Sequence, residues 1–441
     1  MSDLSHPVIQ IGLAGLGNVG QGVYSNLIKN RELLAQRTGA EFVVRRVAVR
    51  DPGKKRDIEV PRELMTTRWQ ELVEDPEVQV VVELIGGVEQ AFELVSSALR
   101  ARKVVVTGNK ALLAERGKEL FAMAEQYGAP IYFEAAVCGG IPIIKTVQEA
   151  FVGNHIQSIY GIINGTSNYI LTRMREAGMD YQAALQEAQL LGYAEADPAL
   201  DVNGWDAAHK AIILASLSYG KWLRPEDVQV EGIQDISLLD IRYAEELGYV
   251  IKLLSIIRVD DGGIEVRTQP SLVPKSHVLA SVNGVFNAIA VLGDVVGETV
   301  FYGRGAGQDP TASSVISDLA DTVWAVRYGA QFSGFVPHGL YGQPKPIDQT
   351  RSQYYVRLTV DDLPGVLGQV ATLFGEAGVG IRSVMQPDAR TTGGDQGATL
   401  MLLMHEASLG RFQKAIEVVS KLDCIRAKPV WMRVEAALAS D

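Results

Sequence analysis

Short apolar segments alternate with amphipathic ones along the first third of the chain. Residues 9–14 predict a strand, and a helix with Val23, Leu27 and Ile28 on one side follows it. Strands separated by helices of about 10–20 residues form βαβ units, so the pattern predicts an α/β fold with a parallel sheet. The further strands of this sheet are predicted at 42–49, 78–84, 103–107 and 131–134.

The alternation of strands and helices is not continued from about residue 142 to residue 301. Helices are predicted for the acidic stretch that begins at Leu191, and a helix at 312–328 is predicted to return to the first domain. We interpret this region as an α+β domain for substrate binding and oligomerisation. Its strands are predicted at about 251–259, 264–272, 285–291 and 298–302.

The last ninety or so residues have the order β-α-β-β-α-β, which predicts a ferredoxin-like module. A segment rich in Pro and Gly, 335–348, precedes it and predicts a linker. The predicted division is 1–142 with 303–335 as the dinucleotide-binding domain, 143–302 as the catalytic domain, 336–350 as the linker and 351–441 as the module.

Composition narrows the class of protein. The formal net charge of −11 argues against nucleic acid or an anionic membrane as a partner. Cys138 and Cys424 are the two cysteines, which predicts no disulfide framework and fits a reducing compartment. The N-terminus lacks a basic signal region, and no apolar segment approaches the ~18 residues of a membrane span. We therefore predict a cytoplasmic protein.

The first predicted strand runs directly into a dinucleotide fingerprint. Gly15 allows a tight turn, Gly17 lets the backbone approach a pyrophosphate, and Gly20 allows close packing of helix on strand. The phosphates of a bound cofactor would lie at the start of the helix. The predicted cofactor-binding loop is Gly15, Leu16, Gly17, Asn18, Val19 and Gly20.

The end of the second predicted strand bears on the choice between NAD and NADP. Arg50 comes first there and basic residues follow, which suits the 2′-phosphate of NADP. A solvated strand end is the alternative for Arg50. Asp51 keeps NAD open, because a carboxylate at this place binds the ribose 2′-hydroxyl. Thr107 ends a later strand and Lys110 follows it, at the edge where such sheets bind ligands. A charge at the start of a helix is the alternative for Lys110.

The stretch Leu191–Ala215 carries the most chemistry. Asp197 and Pro198 predict the start of a short turn, and Asp201 is a candidate cap for a helix that runs to about residue 218. Asp206 and Lys210 lie four residues apart on that helix, which places them on one face. An exposed ion pair is the simpler explanation. The apolar helix and the acidic loop favour an active site in which the lysine transfers a proton.

Glu134–Pro142 leaves the sheet through glycines and a proline. Exposed backbone carbonyls with one carboxylate could hold a hard cation there. Cys138 has apolar neighbours and lacks a nearby histidine, which favours an inert small residue over a nucleophile.

Taken together, these segments resemble a monofunctional bacterial homoserine dehydrogenase with a C-terminal ACT domain. Cys138 departs from the family pattern, which usually has a small residue such as glycine there. The segments that carry the resemblance are 15–20, 107–114, 134–144, 164–174, 191–210, 303–311 and the turn Asp362-Leu363-Pro364-Gly365-Val366-Leu367.

The resemblance implies NAD(P)-dependent interconversion of L-homoserine and L-aspartate 4-semialdehyde, on the route to threonine and methionine. It implies Lys210 as the catalytic acid and base and Lys110 as a second lysine at the reacting centre. Glu195 and Asp206 would bind homoserine, and Asp201 would shape the pocket. Gly192 and Gly307 would contact the cofactor. A structural sodium ion would be held by Glu134, Val137, Gly139 and Ile141.

Two other functions are consistent with parts of the pattern. A semialdehyde dehydrogenase would use Cys138 as a thiol nucleophile and would depend on phosphate. An amino-acid sensor would bind the cofactor without turnover, but a sensor needs no proton donor at Lys210.

The resemblance also implies a homodimer or homotetramer that L-threonine inhibits. We expect truncation near Asp348 to leave an active enzyme that is insensitive to threonine.

Overall fold

The structure, a computed structural model, describes residues 6–260, 263–329, 334–387 and 397–438. The chain divides into two compact units. The first unit is Met1–Gln157, His209–Glu226 and Val291–Gly342, and the second is Ser158–Ala208, Asp227–Ala290 and Gln343–Asp441. The predicted four-part division stays a prediction.

The first unit begins with alternating strands and helices. Their bounds are β1 Val8–Ala14, α1 Asn18–Lys29, α2 Arg31–Thr38, β2 Glu41–Ala48, β3 Met65–Thr66, α3 Gln70–Glu74, β4 Val80–Glu83, α4 Glu89–Arg100, β5 Val104–Thr107, α5 Lys110–Tyr127, β6 Ile131–Tyr132 and α6 Ile143–Lys145.

The middle of the chain is richer in helices and ends in longer strands. Its elements are β7 Ile156–Ile162, α7 Gly165–Ala177, α8 Tyr181–Leu190, α9 Ala199–Val202, α10 Trp205–Tyr219, β8 Gln229–Val230, α11 Leu238–Glu246, β9 Tyr249–Asp260, β10 Gly263–Pro274, β11 Phe286–Gly293, β12 Gly297–Arg304 and α12 Gln308–Tyr328. The C-terminal elements are β13 Arg351–Val360, α13 Val366–Glu376, β14 Ile381–Met385, β15 Ala398–Ser408, α14 Leu409–Val419 and β16 Val430–Val434.

The first six strands form the predicted parallel sheet, in the order β3-β2-β1-β4-β5-β6. Every residue of β4 and β5 is buried, which explains their continuous runs of valine. The predicted return of a late helix is also present, since Ala312, Val315 and Leu319 of α12 belong to the core of this sheet. Helix α12 begins at Gln308, four residues before the predicted start.

The second unit has a mixed sheet in the order β11-β7-β9-β10-β16-β13-β15-β14, with β8 beside β10. Strands β9 and β10 form a long antiparallel hairpin. Sequence analysis missed β7, whose apolar run follows the short helical segment 143–150. The chain is therefore an α/β protein with a parallel first sheet and a mixed second one.

The C-terminal module has the predicted β-α-β-β-α-β order, and its strands lie in the order β16-β13-β15-β14. Strand β16 also pairs with β10, in parallel register with Ser271 opposite Arg433 and Leu272 opposite Val434. The preceding segment is docked, because Ile264 donates to the carbonyl of Gln343 at 2.9 Å. The C-terminal module and the β9–β10 hairpin therefore share one sheet. This arrangement is at odds with the expectation that truncation near Asp348 leaves an active enzyme. The loop predicted at 387–397 lies almost wholly outside the described residues.

Two ion pairs, each with a buried carboxylate, join the module to the rest of the second unit. Arg267 of β10 donates to both carboxylate oxygens of Glu435 at 2.8 and 3.0 Å, and these side chains are 1% and 2% exposed. Arg357 of β13 donates to both oxygens of Asp240 at 2.6 and 3.1 Å. Burial alone would lower the pKa of Arg267, but the carboxylates of Glu435 and Glu265 raise it. The arginine therefore stays charged.

Within the described residues, none of the helices is both long and apolar enough to cross a membrane.

Candidate active site

The glycine loop has the geometry that a dinucleotide requires. Gly15 has a φ of 99°, and a Cβ there would lie 2.5 Å from the carbonyl oxygen of Leu84. A Cβ on Gly20 would lie 2.2 Å from the carbonyl oxygen of Gly15, whereas a Cβ on Gly17 would meet open space. Leu16, Asn18 and Val19 complete the turn into α1, which begins after Gly17. A side chain at Gly15 or Gly20 would therefore disrupt the turn. Gly17 leaves the helix N-terminus open to a phosphate.

The carboxyl ends of β4 and β5 meet at a carboxylate that sequence reasoning missed. Glu83 is fully buried and accepts hydrogen bonds from the Thr107 hydroxyl at 2.6 Å and the Ile85 N–H at 2.9 Å. Burial raises the pKa of Glu83, although these hydrogen bonds favour its charged form. The residue ends a run of valines and reads as an ordinary strand end, so only the tertiary contact identifies it. Lys110, half-buried, opens α5 three residues after Thr107.

The end of β2 presents Arg50 to solvent. Asp51 is turned back into its own loop, where its carboxylate accepts the Gly53 N–H at 2.8 Å. Arg56 fixes the same loop by donating to the carbonyls of Asp51 and Lys54, each at 2.8 Å. Arg50 is therefore an exposed cation at the strand end, while Asp51 contributes to the turn.

In the second unit, Asn164 brings two of the predicted carboxylates together. Its side-chain amide donates to Asp201 at 2.7 Å and to Asp206 at 2.8 Å. Its carbonyl oxygen caps α7 by accepting the Ser167 N–H at 2.7 Å. Two carboxylates held by one amide form an acidic cluster suited to an ammonium or a hydroxyl group. We call Asn164, Asp201 and Asp206 the acidic cluster.

Sequence analysis did not assign Asn164 a site role. An asparagine before Gly165 signals a helix cap, and nothing in the sequence shows the reach of its amide to Asp206, 42 residues further along. The expected capping by Asp201 is wrong. Asp201 lies inside α9, and the carbonyl oxygen of the Asn203 side chain accepts the N–H of Trp205 at the start of α10.

The two remaining predicted substrate and proton-transfer residues differ in burial. Lys210 is 8% exposed and lies one turn after Asp206 on α10, between the buried residues Ala207 and Ala211. Glu195 is exposed in the loop before α9, where Gln189 donates to its backbone carbonyl at 3.1 Å. A lysine beside apolar surface is the kind of group whose proton can be transferred.

Gly192 and Gly307 both adopt backbone conformations that favour glycine. Gly192 has a φ of 74° and is exposed after α8. Gly307 has a φ of 125° and is the residue before α12, so the N-cap position of that helix has no side chain. Both positions are compatible with a close approach of a ligand to the backbone.

Known proteins match this chain over almost its entire length. The family model described as "Homoserine dehydrogenase, NAD binding domain" matches residues 15–134, and that described as "Homoserine dehydrogenase" matches residues 142–320. The homoserine dehydrogenase of Pseudomonas aeruginosa is 44% identical over 432 residues, which cover 97% of this chain and 99% of that one. The chain belongs to the homoserine dehydrogenase family.

Solved structures of homoserine dehydrogenases also match this chain. The homoserine dehydrogenase of Thiobacillus denitrificans is 40% identical with a TM-score of 0.89, and the match covers 97% of this chain and 98% of that one. A hyperthermophilic archaeal homoserine dehydrogenase in complex with NADPH is 28% identical with a TM-score of 0.60, over 74% of this chain and 99% of that one. As a homoserine dehydrogenase family member, the chain is an NAD(P)-dependent oxidoreductase that interconverts L-homoserine and L-aspartate 4-semialdehyde.

The alternative use of Cys138 as a nucleophile does not fit this family or the structure. Cys138 is 1% exposed, and its φ of 53° lies in the left-handed region that favours glycine. The homoserine dehydrogenase resemblance placed a glycine-like residue here, and the backbone explains why. The sensor alternative fails on the same comparisons, because the relatives are named as enzymes.

The predicted cation segment is buried, contrary to the expectation of exposed carbonyls. Residues 133–139 are all buried. The carboxylate oxygens of Glu134 accept the N–H groups of Ile144 at 2.9 Å and Lys145 at 2.8 Å. The carbonyl of Gly139 accepts the hydroxyl of Ser314. Burial raises the pKa of Glu134. In this homoserine dehydrogenase family member the carboxylate therefore stabilises the start of α6.

Proposed function

We propose that Lys210 transfers the proton of the reaction and that the acidic cluster, with Glu195, binds homoserine. The observation that carries this proposal is the amide of Asn164, which holds Asp201 and Asp206 together at 2.7 and 2.8 Å. Two carboxylates in one place can pair with the substrate's ammonium group and accept from its hydroxyl group. The proposal is tested by steady-state rates of the purified protein with L-homoserine and each cofactor.

The chemistry divides between cofactor and protein. A bound nicotinamide supplies or accepts the hydride, so the chain must position the carbon atom and move one proton. On oxidation of homoserine, neutral Lys210 would take the proton of the hydroxyl group. In the reverse direction its ammonium would polarise the carbonyl and protonate the forming alkoxide. Lys110, at the first position of α5, is proposed as the second lysine at the reacting centre.

The cofactor would lie against the glycine loop and against Thr107 and Lys110 at the carboxyl edge of the sheet, and Gly192 and Gly307 are proposed to contact it. Support comes from the open face of Gly17 and the uncapped start of α1. Arg50 is proposed to bind the 2′-phosphate of NADP, because Asp51 already accepts the Gly53 N–H.

Replacing Arg50 by alanine should raise KM for NADP more than KM for NAD. A charged hydrogen bond to a phosphate contributes about 1.5–3 kcal/mol, which corresponds to roughly 10- to 150-fold. The measurement is KM for both cofactors in wild type and in Arg50→Ala. Arg37→Ala, an exposed arginine on α2, is the matched control and should change neither value. Equal increases for NAD and NADP in Arg50→Ala would show that Arg50 serves the loop and not the phosphate.

A structural sodium ion at Glu134, Val137, Gly139 and Ile141 remains part of the proposal. Each carboxylate oxygen of Glu134 accepts one backbone N–H group, and the Gly139 carbonyl accepts the Ser314 hydroxyl. Carboxylate and carbonyl oxygens each have a further lone pair, which suits a hard cation. The oxygen atoms of these residues therefore fit a sodium ion in their chemistry.

We further propose that the C-terminal module is an ACT-type regulatory domain that binds L-threonine. Its strand order and its turn before α13 support this. Gly365 has a φ of 91° and precedes α13, and Asp362 beside it is exposed. The N–H groups at the helix start would bind a carboxylate, and Asp362 an ammonium group. Assembly as a homodimer or homotetramer and a cytoplasmic location stay predictions.

Millimolar L-threonine should inhibit the full-length enzyme by roughly 5- to 150-fold, the range given by a coupling of 1–3 kcal/mol. Asp362→Ala should lose this inhibition and keep its uninhibited rate, because the turn lies in the module. Initial rates with L-threonine, and with L-serine as the control ligand, provide the measurement. Insensitivity of wild type, or full inhibition of Asp362→Ala, would contradict the assignment of the site.

A further inference from the structure

The first sheet buries a carboxylate that the proposed mechanism does not use. Glu83 ends β4 and is 0% exposed. Taking a carboxylate out of water is costly, and proteins offset the cost with hydrogen bonds or opposite charges. All the partners of Glu83 within the described residues are neutral donors: the Thr107 hydroxyl at 2.6 Å, the Ile85 N–H at 2.9 Å, the Gly86 N–H at 3.3 Å and the Asn109 amide at 3.5 Å.

Three N–H donors converge on the Oε1 atom of Glu83, and the Thr107 hydroxyl donates to Oε2. In a glutamine the oxygen could keep the three N–H donors, but an NH2 group in place of Oε2 could not accept the hydroxyl proton of Thr107. The four donors come from the two segments that leave β4 and β5 at the carboxyl edge. One segment is the turn after β4, with Gly86 and Gly87 at φ of 71° and 73°. The other is Thr107–Lys110, where α5 begins.

The hydrogen bonds continue from Glu83 to the first turn of α5. The Thr107 hydroxyl accepts the Asn109 N–H at 3.1 Å while it donates to Glu83. The Asn109 amide donates to the carbonyl of Gly87 at 2.7 Å, and its oxygen caps α5 by accepting the Leu112 N–H at 3.1 Å. Lys110 lies directly after this cap, so the backbone from which its side chain extends is fixed by bonds that begin at Glu83.

We propose that Glu83 is a positioning residue: its buried carboxylate holds Thr107 and Asn109, and through them it sets the place of Lys110. The inference rests on the role of Lys110 at the reacting centre given above. Misplacing a reacting group by about 1 Å can cost roughly 10²-fold in rate. Loss of Glu83 should therefore act on turnover through Lys110 and not only on stability.

A double-mutant cycle with Lys110→Ala tests this. Glu83→Gln alone should lower kcat by about 10- to 100-fold. In the Lys110→Ala background it should lower kcat by less than about 2-fold, because the group that it positions is gone. Lys103→Met is the matched control. Lys103 is another buried charged residue of this sheet, which donates to the Asp75 carbonyl at 2.7 Å, just before the opposite end of β5. It should lower Tm but leave kcat near wild type.

The outcomes are distinct. A folded Glu83→Gln with wild-type kcat, or losses that multiply in the double variant, would overturn the positioning role. Wild-type turnover in Lys110→Ala would overturn both this inference and the proposed role of Lys110. If Glu83→Gln does not fold, Thr107→Val removes only the hydroxyl in the middle of the chain of bonds. The same cycle with Thr107→Val should again show losses that do not multiply, and multiplying losses would overturn the inference.

Discussion

Replacing Lys210 by alanine should lower kcat by about 10²- to 10⁴-fold, the usual contribution of a positioned acid or base. Lys210 is 8% exposed on a helix whose neighbouring alanines are fully buried. Cofactor affinity should survive, because the glycine loop and the start of α1, and not Lys210, are the proposed binding site of the cofactor phosphates. The measurements are kcat with homoserine and the dissociation constant for NADPH from its fluorescence.

The exposed lysine of α5 offers a matched control for this variant. Lys118→Ala removes an ammonium group of the same kind from a solvent-exposed position and should retain wild-type kcat. A Lys210→Ala protein that is folded and turns over within a few-fold of wild type would refute the proton-transfer role. A loss confined to KM for homoserine would assign Lys210 to binding instead.

A chain truncated after Asp348 should fail to fold into a soluble enzyme. The cut removes β13 and β16, so the β10 backbone at Ser271 and Leu272 loses its partner strand. It also leaves Arg267 without Glu435 and Asp240 without Arg357. Removing one partner of a buried ion pair costs about 3–5 kcal/mol, against a total stability of about 5–15 kcal/mol. The fraction of soluble protein and its thermal unfolding curve measure this effect.

Point variants separate the loss of the ion pair from the loss of a whole module. Glu435→Gln keeps the shape of the side chain and should lower the apparent Tm by roughly 5–15 °C. Glu417→Gln breaks an exposed ion pair with Lys421 and should shift Tm by less than about 1 °C. The side chain of Lys421 is 69% exposed and that of Glu417 is 66% exposed. A soluble, cooperatively unfolding 1–348 fragment would show that the shared sheet is dispensable.

Several parts of the fold follow from local sequence alone. A run such as Val80–Glu83 between amphipathic helices fits only a strand buried on both faces, and the glycine spacing at 15–20 permits one type of turn. The β-α-β-β-α-β order of the last module is also local, since each element has its own periodicity and its own turn. These features need no distant contact to form, so periodicity and turn chemistry predict them.

Some features of the candidate site are local to one segment of the chain, and others depend on distant segments. The i,i+4 relation of Asp206 and Lys210 is a property of a single helix, and the sequence predicts it once the helix is recognised. The roles of Asn164 and Glu83 depend on atoms that come together from separate segments. The same holds for the carboxylate of Glu134. The sequence predicts that it binds a cation, whereas in the structure it accepts N–H groups at the start of α6.

By itself the sequence determined the strands and helices of the first sheet, the dinucleotide loop and the order of elements in the module, because each depends on periodicity and turns along the chain. Only the tertiary structure decided which partner each buried polar group takes. A carboxylate or guanidinium removed from water must find donors or acceptors wherever the packed chain brings them. For Arg267 that partner is Glu435, 168 residues away. This long-range pairing joins the module to the hairpin, and no local pattern contains it.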